Sequence, residues 1–140
     1  MRLVFDLEAD GLVPEATQIH CISITNFETG ENTLYTPENI GDGLLALSKA
    51  STLVGHNIID YDLKVIKKIY PLWEFAGDVV DTLVLSRVAY PNRKELDFNL
   101  ARKSSSFPKA MIGRHSLESW GYRLGLHKGD YGEQEDAWEH

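Results

Sequence analysis

Three short segments near the start of the chain alternate apolar and polar residues with the period of two that is typical of β-strands. They cover residues 3–7, 19–25 and 31–35. Thr29 and Gly30 supply a turn before the third segment. Because strands that follow one another so closely pair with their neighbours, this pattern predicts an antiparallel three-strand meander.

After the meander, helical and strand patterns alternate. Apolar residues spaced three and four apart predict helices over residues 43–50, 60–70 and 81–90, and short apolar runs predict strands at Thr52–Gly55 and 79–80. In the second of these helices, Leu63, Ile66 and Tyr70 are expected to face inward. A last helix, with Leu117, Trp120 and Leu124 facing inward, is expected to end at Gly125. Asp81 is expected to cap the helix over residues 81–90. The order predicts an α/β fold, a mixed sheet flanked by helices.

Three acidic residues lie at the ends of apolar runs. Asp6 and Glu8 are two residues apart on the first strand, so both side chains point to one face of it. Asp62 follows the run that begins at residue 53. Carboxylates crowded together repel one another unless cations neutralise them, and Mg²⁺ or Mn²⁺ prefers such oxygen ligands. The alternatives are that Asp6 and Glu8 are ordinary edge acids and that Asp62 only begins a helix.

The residues around these acids resemble a known family. The matching motifs are Asp6-x-Glu8 with Leu12 nearby, Asn57-x-x-x-Tyr61-Asp62, residues 81–87 and residues 116–125. They are similar to the DEDD-superfamily 3′→5′ exonucleases, and more narrowly to the N-terminal proofreading domain of family A DNA polymerases from short-tailed phages. The resemblance extends over nearly the whole chain, from about residue 2 to residue 131.

The resemblance implies a ribonuclease H-like fold and a two-metal hydrolysis of phosphodiester bonds. Asp6, Glu8 and Asp62 would be the catalytic residues and the ligands of two Mg²⁺ or Mn²⁺ ions, and Leu12, Asn57 and Tyr61 would seat the terminal nucleotide. The expected partners are the 3′ end of single-stranded DNA and a downstream polymerase domain. Two other functions remain open: a catalytically incomplete single-strand-binding or structural module, and an RNA-directed DEDD exonuclease.

One motif of the family is missing. The superfamily carries a fourth acid in a Tyr-x-x-x-Asp or His-x-x-x-x-Asp motif, and no such motif exists in the 140 residues. Tyr131 is followed four places on by Glu135 and five places on by Asp136. We therefore expect residues 1–140 to form a single exonuclease-like domain that stops before its last acidic motif.

Composition bounds the remaining classes of function. A chain of 140 residues, 43% of them hydrophobic, is long enough for one core. Its single cysteine, Cys21, excludes an internal disulfide. We take Cys21, His20 and His56 as buried structural residues because they lie in strand-like contexts. No signal peptide or membrane span is predicted, which favours the cytoplasm, that of the host cell if a phage encodes the protein.

The charge distribution qualifies the nucleic-acid prediction. A net charge of −7 disfavours binding to phosphates. Residues 91–114, however, carry six Lys and Arg side chains against Glu95 and Asp97, with Phe98 and Phe107 interleaved. This basic segment is predicted to bind along a single strand of nucleic acid. The alternative is a solvated loop.

Overall fold

The computed structural model describes residues 1–104 and 106–126, and the first 82 residues contain a five-stranded mixed sheet. The strands are β1 (Arg2–Ala9), β2 (Ile19–Asn26), β3 (Asn32–Tyr35), β4 (Thr52–Gly55) and β5 (Asp78–Asp81). Across the sheet their order is β3-β2-β1-β4-β5. Strands β1 to β3 are antiparallel neighbours, whereas β4 is parallel to both β1 and β5. The predicted meander with added parallel strands is confirmed, and the fold is ribonuclease H-like.

Five α-helices and two short turns lie between and after the strands along the described part of the chain. They are α1 (Ile40–Ser48), a π-helical turn (Ile58–Asp62), α2 (Leu63–Ile69), α3 (Thr82–Ala89), α4 (Arg93–Lys103), a 3₁₀ turn (Lys109–Met111) and α5 (Leu117–Leu124). Helix α4 forms within the basic segment, for which the sequence predicted no helix. None of the helices described is long and apolar enough to cross a membrane.

Contacts divide the chain into two compact units, Met1–Thr82 and a second that begins at Leu83. The first unit contains the sheet and a core formed by the inward faces of its strands and of α1 and α2. In β1, Leu3, Phe5 and Leu7 are each less than 5% exposed, so the other face of the strand carries the acidic residues. The alternation in the sequence therefore describes β1 correctly.

Helix α2 differs from the prediction at its end. The lysines Lys64, Lys67 and Lys68 face solvent as expected, and Ile66 is buried. Tyr70, predicted to face inward, is 37% exposed. The helix ends at Ile69, and Tyr70 has a non-helical φ of −123°, so its side chain no longer follows the apolar stripe of α2.

The second unit has a polar centre. Asp97 of α4 is 0% exposed and Ser119 of α5 is also fully buried, whereas the predicted inward residues Leu117 and Leu124 are more than 60% exposed. Half-buried Trp120 donates its indole N–H to Ser86 Oγ at 2.6 Å. The stripe prediction was wrong because a buried carboxylate, rather than apolar packing, determines which face of α5 points inward.

Candidate active site

Strand β1 presents two acidic side chains on the face opposite its buried residues. Asp6 lies opposite Ser23 of β2, and Glu8 lies opposite Cys21. The pairing register shifts directly after Glu8, so β1 is irregular at the point where the acids end. Such irregularities commonly redirect side chains next to active sites. Asp6 is exposed and Glu8 is half-buried.

The third predicted acid reaches the same strand from elsewhere in the chain. Asp62 is buried, and its Oδ2 accepts the backbone N–H of Leu7 at 3.1 Å. Because Leu7 separates Asp6 from Glu8, this bond sets the Asp62 carboxylate beside both. Burial, together with the charges of Asp6 and Glu8, raises the pKa of Asp62 to about 7, although the Leu7 N–H acts in the opposite direction. The site therefore holds a carboxyl group whose negative charge is unfavourable there.

The π-helical turn that ends at Asp62 depends on a fourth acid. Asp81, at the end of β5, is 5% exposed and accepts the N–H of Asn57 at 2.9 Å and of Ile59 at 3.0 Å. Asn57 has a left-handed backbone with φ 62°, unusual for a residue other than glycine. Single π-helical turns are frequent at functional sites. The sequence assigned Asp81 to a cap on α3, and its bonds to this turn were missed because they depend on β5 pairing with β4.

Gly55 allows the turn to lie close to the sheet. A Cβ atom on Gly55 would come within 2.8 Å of the Phe5 carbonyl oxygen and 2.3 Å of Ile58 Cγ2. Neither distance is tolerated by a real side chain. The end of β4 must therefore be glycine for the chain to pass from β4 into the segment that carries Asp62.

The loop that carries Leu12 is bound at its base. The carboxylate of Asp10 accepts the N–H groups of Thr17 at 2.8 Å and Gln18 at 3.1 Å, and it also accepts the Thr17 hydroxyl. These bonds hold the pKa of Asp10 at about 2, so the carboxylate stays ionised. Leu12 itself is 71% exposed, and its side chain is open to a ligand.

Two side chains from the Asp62 segment also bind this loop. Tyr61 donates its hydroxyl to the Gly11 carbonyl at 2.8 Å, and Lys68 donates to the carbonyls of Val13 at 2.9 Å and Pro14 at 2.7 Å. Burial and the neighbouring acids, chiefly Asp62, raise the pKa of Tyr61. The structure thus brings Leu12 and Tyr61 together near the three acids, and it connects Asn57 to them through the π-helical turn.

The donor set suits a divalent cation, although the side chains are not yet gathered into a cage. Among residues 1–104 and 106–126, no three His, Cys, Asp or Glu side chains converge as a finished metal site. Asp6, Glu8 and Asp62 are adjacent carboxylates, the ligand type that Mg²⁺ and Mn²⁺ prefer. The unfavourable charge of buried Asp62 supplies the electrostatic reason for a cation.

The remaining residues singled out in the sequence have other roles. His20, Cys21 and His56 are half-buried rather than buried as the sequence predicted. His56 Nδ1 lies 2.9 Å from Thr82 Oγ1, and its buried Nε2 has no hydrogen-bond partner among the residues that the structure describes. Burial and the charge of Glu8 raise the pKa of the Cys21 thiol. Tyr131, Glu135 and Asp136, which depart from the spacing of the family's fourth acidic motif, lie outside the described residues.

Comparison with known proteins identifies the relatives of this chain. No protein-family model matches it. The chain is 38% identical to the DNA-directed DNA polymerase of Escherichia phage T7 over 92% of its own length, and 39% identical over the same share to that of Enterobacteria phage T3. It spans 20% of the length of either polymerase.

Two solved structures of another protein have a similar fold. Brucella melitensis NrnC with bound Mg²⁺ matches 91% of this chain and 55% of its own at TM-score 0.57 and 18% identity. NrnC bound to pGG matches with TM-score 0.54 and 17% identity. At such identities the match describes the fold alone. By sequence, the chain is similar to one-fifth of the length of the phage T7 and T3 DNA polymerases, and by fold it is similar to NrnC.

Proposed function

We propose that the chain is a 3′→5′ exodeoxyribonuclease domain that removes nucleotides from the 3′ end of single-stranded DNA, as in proofreading by a phage-type DNA polymerase. One observation carries the proposal: buried Asp62 binds the backbone of Leu7, between Asp6 and Glu8. A buried carboxylate beside two others lowers the stability of a fold, whereas the same cluster can bind the cations that a hydrolytic reaction needs. The identity to the T7 polymerase supports the same function.

Asp6, Glu8 and Asp62 would hold two Mg²⁺ or Mn²⁺ ions. When bound, such ions lower the pKa of water and neutralise charge on the attacking and leaving oxygens of a phosphodiester. The fold neighbour NrnC has been solved with bound Mg²⁺, which supports a divalent cation in this fold. The Asp62 carboxylate is held in place by burial and by its hydrogen bond to β1.

The other residues would position the terminal nucleotide. Leu12, exposed on a loop bound at both ends, is suited to pack against the last base, and Tyr61 holds that loop through Gly11. Asn57 lies where the π-helical turn begins. In the reaction, a water oxygen bonds to the terminal phosphorus and the bond to the preceding 3′ oxygen breaks. The products are a nucleoside monophosphate and a strand one nucleotide shorter.

The wider setting follows from the polymerase relatives. The matched part is one-fifth of those polymerases, and we propose that a polymerase domain is the partner of this chain. A phage-encoded form would act in the cytoplasm of the host cell. A fourth carboxylate from a later helix would complete the set of ligands.

Digestion of a 5′-labelled DNA oligonucleotide in Mg²⁺ tests the proposal. Asp6→Ala should abolish nearly all hydrolysis, and adding Glu8→Ala should cost little more because the ligands act as a unit. Asp42→Ala, an exposed acid on α1, is the matched control and should keep the activity. Equal activity of the Asp6 and Asp42 variants would refute the assignment of the site.

The same assay separates the alternatives. A version extended through the next helix should digest DNA far faster than the 140-residue chain, because a missing carboxylate weakens cation binding. Binding of DNA by both lengths without hydrolysis would identify a binding or structural module. Faster digestion of an RNA oligonucleotide of the same sequence would identify an RNA-directed enzyme.

A further inference from the structure

The charge of this protein is divided unevenly along the chain. Residues 1–82 carry 13 acidic side chains against five Lys and Arg, whereas residues 83–126 carry eight Lys and Arg against three acidic side chains. The net charge of −7 therefore conceals a basic second unit. A concentration of cations of this kind is the usual electrostatic footprint of a nucleic-acid-binding surface.

Part of this charge lines a groove of about 580 Å³ between α4 and the 3₁₀ turn. Its lining residues are Lys94, Phe98, Ala101, Arg102, Lys109 and Ile112. The volume is within the range of roughly 300–1,000 Å³ that is common for ligand pockets. Three of the six lining side chains are cations, and one, Phe98, is an aromatic ring that is 46% exposed.

The walls of the groove are held together by the buried carboxylate of Asp97. Its Oδ1 accepts hydrogen bonds from Arg93 Nε–H at 2.8 Å and Arg123 Nε–H at 2.9 Å. Its Oδ2 accepts a hydrogen bond from the backbone N–H of Gly113 at 2.9 Å. The bond to Gly113 ties the segment after the 3₁₀ turn to α4. These charge-assisted bonds lower the pKa of Asp97 despite its burial. The groove is therefore formed before any ligand arrives.

Close packing at Gly113 reinforces this arrangement. Gly113 has φ 77°, a left-handed conformation that favours glycine. A Cβ atom at this position would lie 3.3 Å from Lys94 Cβ. The backbone after the 3₁₀ turn thus lies against the first turn of α4, on the side where Lys94 enters the groove.

The structure distinguishes the two phenylalanines of the basic segment. Phe107, predicted to be interleaved for binding a strand, is 5% exposed, and Arg123 lies over its ring at 5.8 Å from the centroid. Phe107 is therefore not available to a strand, contrary to the prediction for the basic segment, because it fills the interior of the second unit. Phe98 is open, with Lys94 and Arg102 four residues away on either side along α4. Phe98 is therefore the aromatic ring in the groove that is suited to stack on a base.

We propose that this groove binds single-stranded DNA, with Lys94, Arg102 and Lys109 neutralising phosphates and Phe98 stacking on a base. The groove shares no residue with the three acids, and the identity of its ligand rests on the proposed function. Cations beside an open aromatic ring match a strand in which phosphates and bases alternate. An acidic peptide would use the charges without the ring.

Fluorescence anisotropy of a labelled (dT)₁₂ oligonucleotide in EDTA, with the 140-residue chain, tests the proposal without hydrolysis. Arg102→Gln and Lys109→Gln should each weaken binding and reduce the slope of log affinity against log salt by about 0.7. Lys103→Gln removes a neighbouring charge that does not line the groove, and it should leave affinity and slope nearly unchanged. Phe98→Ala and Phe98→Leu should each lose about fivefold, because leucine preserves the apolar packing and not the stacking.

The outcomes separate this proposal from the proposed function. Asp62→Asn should abolish hydrolysis and keep full (dT)₁₂ affinity. If the unsubstituted chain binds DNA through the groove and never hydrolyses it, the proposed enzymatic function is refuted and the groove proposal stands. If Lys103→Gln and Arg102→Gln weaken (dT)₁₂ binding equally, the proposal that the groove binds DNA is refuted. Displacement of (dT)₁₂ by poly-L-glutamate as readily as by unlabelled (dT)₁₂ would also refute it, because that would indicate a surface that recognises charge alone.

Discussion

Replacing Asp62 by asparagine removes the charge that the fold accommodates least well. The side chain is 3% exposed, and burial raises its pKa from an ordinary 3.8 to about 7. Asparagine has nearly the same shape, and its side-chain oxygen retains the bond from the Leu7 N–H. The substitution therefore isolates the cost of the charge from the cost of a cavity or a lost hydrogen bond.

The magnitude follows from the pKa of Asp62. Each pH unit by which the folded pKa exceeds its ordinary value corresponds to about 1.4 kcal/mol. The difference between 3.8 and about 7 gives an upper value of about 4 kcal/mol for the cost of ionised Asp62 without a cation. This is a large part of the total stability of a domain of this size.

The sign of the pH dependence is fixed by linkage. Below pH 3.8 the Asp62 carboxyl is protonated in both folded and unfolded chains, so its burial costs little. Between pH 3.8 and about 7 the unfolded chain releases the proton while the folded chain keeps it, so the contribution of Asp62 to stability falls as pH rises. Above about pH 7 the whole cost is present. The stabilisation by Asp62→Asn should therefore be small at pH 4 and greatest at pH 8.

Urea unfolding followed by circular dichroism, in EDTA from pH 4 to pH 8, measures this difference. Asp60→Asn is the matched control, because that side chain is 74% exposed and pairs with Lys64; it should give no pH-dependent gain. Millimolar Mg²⁺ should stabilise the unsubstituted chain at pH 8 and have much less effect on Asp62→Asn. A variant no more stable than the unsubstituted chain at pH 8 in EDTA would refute the reasoning that buried Asp62 carries an uncompensated charge.

Three further substitutions test the elements that support the site. Asp81→Ala leaves the N–H groups at the start of the π-helical turn without their carboxylate, so thermal unfolding should show a loss of about 2 kcal/mol and DNA hydrolysis should fall; unchanged hydrolysis would contradict its positioning role. Tyr61→Phe removes the bond to Gly11 and should raise KM more than it lowers kcat; an effect on kcat alone would argue against loop positioning. Gly55→Ala should prevent normal folding, measured by circular dichroism, whereas Gly41→Ala, with open space around its Cβ, should be neutral or stabilising.

The sequence determined the local elements well. Strand β4 has the predicted bounds Thr52–Gly55, and the alternation in β1 sets Asp6 and Glu8 on one face. Helix α5 ends at Leu124 and is capped by Gly125, which is left-handed with φ 69° as its position predicts. Each of these features depends on short-range sterics and on the period of apolar residues, so it is present in the chain before any distant contact forms.

The partners of the buried polar groups were decided only by tertiary structure. Asp62 binds the N–H of a residue 55 positions earlier, and Asp97 binds Arg123, 26 positions later. Helix α4 lacks a strong apolar stripe, so nothing in its sequence showed that Asp97 would be its buried residue. Asp81 resembled an ordinary helix cap until β5 paired with β4 and set it beside the π-helical turn. A buried acid takes whichever donors the fold brings to it, and periodicity carries no information about those donors.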